Sequence, residues 1–258
     1  MHFFFFGWAM MSATLNLSTS KNPAIWRLWA EIIPLLAMII FTFIFWIIEK
    51  KEIGLCLFSH SKKGILVGMA MGIVWLGTPV AILKAMNIIE INGKNHIPLL
   101  AVWILAVFFN AVMQELLVRG YLYQMLKQKY HIVPAVIVTT GLFTFLHGGA
   151  LEAGVIPAMN VLTMSLLMTI LLEYCGSIIA PTVAHFLWNG IGAVILGGVS
   201  LADDYPHLFH MDFLGNDLLS GGVCKIEGSI VVLIVNCIFI LIIFLLMKKR
   251  KDSYFGER

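Results

Sequence analysis

Three short runs in this chain of 258 residues combine acid, base and amide at helical spacing. In Gln114-Glu115-Leu116-Leu117-Val118-Arg119, Glu115 and Arg119 are four apart and share a helix face, with the acid on the favourable N-terminal side. Phe143 precedes His147 by four residues and His185 precedes Asn189 by four, so each pair projects from neighbouring turns toward a common partner. A carboxylate can take a proton from water, and an imidazole can position that water or shuttle the proton. Amide or imidazole N–H groups can hold a developing oxyanion. Glu115, His147, His185 and Asn189 therefore form a candidate hydrolytic set, provided that their elements converge. Singly, each run has a plain structural use: an ion pair, a helix-end histidine, a polar bond between helices worth about 1 kcal/mol.

The elements that must bring them together are membrane spans. Hydrophobic side chains make up 60% of the chain and charged ones 12%, against about 25% charged in soluble domains, which excludes a water-soluble globule. Intervals nearly free of charge run over 32–48, 64–83, 95–114, 130–151, 153–172, 174–202 and 228–247, and each is close to the roughly 20 residues that a span needs. The expectation is one all-α polytopic membrane domain over 1–258 with about seven transmembrane helices. The third should continue from 98 to about 126, because its pattern stays helical past Glu115 and Arg119. An ionisable pair then lies at membrane depth, where charge is costly and marks function by default.

Orientation follows from Lys and Arg. With the C-terminus inside, the inner segments hold Lys50, Lys51, Lys62, Lys63, Arg119, Lys127, Lys129, Lys248, Lys249, Arg250, Lys251 and Arg258. The outer ones hold Lys21, Arg27, Lys84, Lys94 and Lys225. Twelve against five predicts N-terminus out and C-terminus in. The net charge of +3 is explained by these span-flanking clusters and gives no reason to expect nucleic acid as a partner. Residues 2–15 are apolar but too short to span, and read as an interfacial or re-entrant segment. Only Cys224 of the four cysteines falls outside, so no outer disulfide is expected.

Of the remaining polar residues, Asn160 and Glu173 are the better candidates to line a cavity, ahead of Asn110 and Asn236. His207 and His210 lack further ligand spacing. No H-E-x-x-H occurs. A zinc site from Glu115, His147 and His185 is the lesser alternative to a metal-independent one, since a carboxylate and two imidazoles are a known zinc set.

The three motifs, in this order on separate spans, resemble the CPBP family of intramembrane proteases. That family includes the CAAX prenyl endopeptidases of the Ras-converting type and the bacterial Abi proteins, some linked to bacteriocin immunity. Its pattern is Glu-Glu-x-x-x-Arg, then Phe-x-x-x-His, then His-x-x-x-Asn or Asp. The matching stretches are Gln114 to Arg119, Phe143 to His147 and His185 to Asn189, and the resemblance covers about 95–200. It implies an endopeptidase without cofactor, acting on membrane-associated or amphipathic peptides in a bacterial plasma membrane. In that reading Glu115 and His147 activate water, His185 and Asn189 hold the oxyanion, Arg119 fixes the Glu115 rotamer and Phe143 packs the floor. One departure matters: Gln114 replaces the first acid of the pair, and an amide cannot act as a general base. Either Glu115 activates the water with Gln114 orienting it, or the chain is a noncatalytic immunity or peptide-binding protein. The catalytic version requires Glu115 in a wet pocket at the depth of both imidazoles. A Glu115 locked dry against Arg119 is the outcome that would overturn it.

Overall fold

The computed structural model describes residues 20–202 and 204–256, with side chains to residue 250. The expected interfacial segment 2–15 lies outside the described residues. Apolar helices run over α1 (Pro23–Ile48), α2 (Ser61–Ala85), α3 (Leu100–Lys129), α4 (Ile132–Leu146), α6 (Val155–Cys175), α7 (Ile179–Ile195) and α9 (Ile230–Gly256), with a short α5 (Gly148–Ala153) after α4. By length and composition α1, α2, α3, α6 and the segment Gly222–Arg250 can cross a bilayer, whereas α4 and α7 are shorter. The chain is an all-α polytopic membrane protein, and the seven apolar helices among the described residues correspond to the seven charge-poor intervals.

The fourth interval needs correction. The charge-free stretch 130–151 is not one spanning helix: α4 has 15 residues and stops at His147. At 1.5 Å per residue it rises about 22 Å, short of the roughly 30 Å hydrocarbon core. His147, on which the helix ends, lines the cavity described below.

Each helix has a local reason to begin or to pack where it does. Asn22 caps α1, its Oδ1 accepting from the amides of Ala24 (3.0 Å) and Ile25 (3.4 Å), and Pro23 occupies the first turn. On α2, Gly64, Gly68 and Gly72 line the face against α7. A Cβ on Gly68 would lie 2.6 Å from the Ala180 carbonyl oxygen, so two backbones meet there as small residues allow between membrane helices. Trp75 and Trp188 stack across the α2–α7 contact with centroids 4.1 Å apart, and Trp75 Nε1 donates to Asn236 Oδ1 of α9 (2.7 Å). Large apolar side chains such as Ile47, Leu66, Ile137, Phe145 and Leu241 are exposed, as lipid-facing positions are.

A long connection, 196–229, closes one end of the bundle. Within it β2 (His210–Phe213) pairs antiparallel with β1 (Ile89–Asn92), Ile89 opposite Phe213 and Asn92 opposite His210. A short α8 (Asp217–Ser220) and a 3-10 turn, Gly222–Gly228, then lead into α9. At this end Arg27 of α1 pairs with Asp204. At the opposite end Glu49 pairs with Lys129 (2.8 Å), and Lys63 donates to the Tyr174 carbonyl (3.0 Å).

Candidate active site

Two of the three motifs sit where a helix changes its winding. The α3 helix is α-helical through Glu115 and π-helical over Leu116–Leu122; α7 is α-helical through Asn189 and π-helical over Gly190–Ile195. π turns are uncommon and concentrate at functional sites. His147, the third component, is the residue on which α4 ends.

Glu115 and Arg119 are wholly buried and bonded to each other: Nη1 lies 3.0 Å from Oε1 and 2.9 Å from Oε2. The rest of the guanidinium is satisfied by α6, Nη2 donating to the Ser165 carbonyl (2.9 Å) and Oγ (2.8 Å), and Nε to Thr169 Oγ1 (3.3 Å). His185 Nδ1 lies 2.9 Å from Glu115 Oε1. A carboxylate held by an arginine only accepts, so this Nδ1–H donates. His147 Nδ1 is 2.8 Å from the Phe143 carbonyl oxygen, another pure acceptor. Each neutral imidazole therefore carries its proton on Nδ1 and keeps the lone pair on Nε2.

The Phe143 ring ties these groups together at one level. Its centroid is 4.3 Å from that of His147 and 6.1 Å from that of His185, and the Arg119 guanidinium lies 5.0 Å from it. Glu115, His147 and His185 are thus at a common depth, which the early end of α4 makes possible.

Beside them lies a cavity of about 780 Å³, whose wall includes Gln114, Phe143, His147, His185 and Asn189. Glu115 and Arg119 are not part of that wall. The expectation that Glu115 itself meets water is corrected here: it stands behind His185, locked against Arg119, and the glutamate-activated hydrolysis expected from the sequence falls with it. A carboxylate in apolar surroundings must be matched by donors, and Arg119 and His185 take both of its oxygens. Among the described residues no three His, Cys, Asp or Glu side chains gather as a metal site.

Asn160 and Glu173, favoured from sequence for a cavity, do not line this one, whereas Asn110 does; Asn160 borders a separate void of about 10 Å³. Asn160 Nδ2 donates to the carbonyls of Glu227 (2.7 Å) and Ser229 (2.9 Å), and Glu173 takes the Lys127 ammonium (2.7 Å) and the Tyr123 hydroxyl (3.1 Å). The residues that sequence reasoning missed are two further acids in the cavity wall, Glu31 of α1 and Glu227 before α9. Glu227 accepts from Trp188 Nε1 (3.1 Å) and from the Ser200 amide (3.0 Å). Glu31 accepts from Asn110 Nδ2 (2.9 Å), the Tyr205 hydroxyl (3.2 Å) and Arg27 (3.4 Å). Burial, and then the Glu31 charge, raise the Tyr205 pKa above its ordinary value, which keeps that hydroxyl a donor. A signal for Glu31 existed: with Arg27 four residues before it, it repeats the spacing of the Glu115–Arg119 pair.

A comparison with family models matches residues 96–191 to the Type II CAAX prenyl endopeptidase Rce1-like family. The likeness lies in the core of the chain and spans less than half of its length. The matched stretch holds all three motifs, from α3 to α7, and leaves α1, α2, the long connection and α9 outside it. No curated protein and no solved structure matches the chain.

Proposed function

We propose that this chain is an intramembrane endopeptidase that hydrolyses peptide bonds of membrane-associated or amphipathic peptides, with the imidazoles rather than a glutamate meeting the water. The observation that carries this reading is that both Nδ1 protons are tied, to Glu115 and to the Phe143 carbonyl, while both rings line one cavity with Gln114 and Asn189. A water proton passes to an imidazole Nε2 as the oxygen bonds to the scissile carbonyl carbon. The Asn189 amide donates to the oxyanion, and the imidazolium returns the proton to the departing nitrogen as the C–N bond breaks. Glu115 acts through His185, holding its tautomer and ring orientation, as a buried carboxylate does behind a catalytic histidine. In this reading the reaction is metal-independent and the protein sits in a bacterial plasma membrane, N-terminus out and C-terminus in.

The test is cleavage by the purified full chain in liposomes, followed by mass spectrometry of amphipathic and prenylated peptides. His147→Ala and His185→Ala are expected to lower kcat by roughly 10²–10⁴-fold, Glu115→Gln by a smaller factor, and a chelator by none. If Glu115→Gln and His147→Ala variants cleave as the parent does, the reading falls; chelator sensitivity would replace it with a metal mechanism.

A second reading, a noncatalytic immunity or peptide-binding protein, is favoured by Gln114 standing where the family pattern has an acid and by the dry setting of Glu115. It predicts that peptide is retained by the protein with its mass unchanged.

A further inference from the structure

We infer that Glu31, on a helix outside the family match, is a positioning residue for the cavity: through Asn110 it dictates which end of the Gln114 amide is left for a molecule bound there. The argument is one of hydrogen-bond polarity. An ionised carboxylate has no proton to give, and every partner of Glu31 is a donor: Arg27, the Tyr205 hydroxyl and Asn110 Nδ2. Asn110 must therefore turn its NH2 to Glu31 and its Oδ1 the other way. That oxygen lies 2.7 Å from Gln114 Nε2, so Gln114 in turn must use its NH2 there. What remains is Gln114 Oε1, which is buried and has no hydrogen-bond partner, on a residue that lines the cavity. The order Glu31, Asn110, Gln114 is set from its acidic end, since neither amide can flip without facing acceptor to acceptor or donor to donor.

The consequence is chemical. Gln114 cannot take a proton, yet held this way it offers what an acid at that place would also offer, a fixed acceptor oxygen. We assign to Oε1 the hydrogen of the attacking water that is not transferred, so that the water's other hydrogen faces an imidazole Nε2. This last step rests on the proposed hydrolysis; the amide order does not.

The experiment separates the two. The chain has three glutamines, Gln114, Gln124 and Gln128, so full-length protein with 15N in the glutamine side-chain amides gives three NH2 pairs in detergent micelles. The pair that disappears in Gln114→Leu is that of Gln114. In Glu31→Gln, which adds a fourth pair of its own and whose amide can turn either end to Asn110, and in Asn110→Leu, which cuts the chain, the Gln114 pair, identified in each background by adding Gln114→Leu, should move and exchange faster with solvent. Asn110→Leu leaves Glu31, Arg27 and Tyr205 in place and carries the test if loss of the charge unfolds the protein. A Gln114 pair unmoved in Asn110→Leu, or in a folded Glu31→Gln, overturns the inference. In the cleavage assay Glu31→Gln should lower kcat about tenfold with KM within about twofold, the signature of a misplaced reactant rather than lost binding, and Glu31→Asp should recover part of it. A kcat unchanged beside a displaced amide would refute the water assignment alone. A parent that cleaves nothing would refute the proteolytic reading and leave the amide order to be decided by the spectra.

Discussion

The four charged or ionisable groups around Phe143 are arranged so that none is left without a counterpart, and this has a measurable cost when broken. Arg119 gives two donors to Glu115 and three more to α6. Arg119→Gln should therefore destabilise the protein by about 3–5 kcal/mol, the cost of leaving a buried carboxylate short of its partner, seen as a lower thermal midpoint in micelles. Restoring an acid at the departed position is a second test. In Gln114→Glu a carboxylate oxygen would face Asn110 Oδ1, which Glu31 prevents from turning. The substitution should lower stability by about 1–3 kcal/mol, the range for a buried acceptor without a donor. Unfolding in denaturant would show it, and combining it with Glu31→Gln should return much of the loss.

Among the elements, the α2–α7 contact decides where His185 and Asn189 stand, because it sets how closely α7 approaches the bundle. At Gly68 a methyl group would press on the backbone oxygen of Ala180 at 2.6 Å, and backbone cannot swing aside as a side chain can. Gly68→Ala is expected to cost about 1–3 kcal/mol by overpacking and to lower any cleavage activity with it. Gly77→Ala, on the same helix with open space around it, should do neither. Thermal scans of both variants in one detergent give the comparison. The π turns after Glu115 and Asn189 belong to this scale too: they shift the register of each helix just beyond a motif, so that α3 and α7 aim their motif side chains by winding as well as by packing.

For the molecule as a whole, the contacts at its two ends can be converted into an orientation test with native thiols. Cys224 lies in the closing connection near the end that holds Arg27 and Asp204, and Cys56 at the end that holds Glu49 and Lys129. With the N-terminus out, a membrane-impermeant maleimide should label Cys224 in intact cells and Cys56 only after permeabilisation, scored in single-cysteine variants. The reverse pattern would invert the proposed topology. The acid-bearing parts outside the family match, α1 with Glu31 and the connection with Glu227, wall the same cavity as the matched core.

The seven apolar helices, the long third helix and the alignment of the three motifs were written in the order of residues. Hydrophobic length and four-residue spacing act along the chain and need no knowledge of what lies across it. The common depth of His147 and His185 was not legible, because it depends on α4 stopping at His147, within what reads as one uninterrupted apolar interval. Nor was the fate of Glu115. Sequence placed it beside Arg119, but only the packing of α7 against α3 put His185 between that carboxylate and the cavity. Asn160 and Glu173 show the same boundary from the other side: a polar residue in a span announces that it needs partners, and tertiary structure alone decides whether those are backbone carbonyls, a lysine or a wet cavity. The cavity's remaining acids came from segments far apart in sequence, since hydrogen-bond partners of a buried group are chosen in space and leave no periodic trace in the chain.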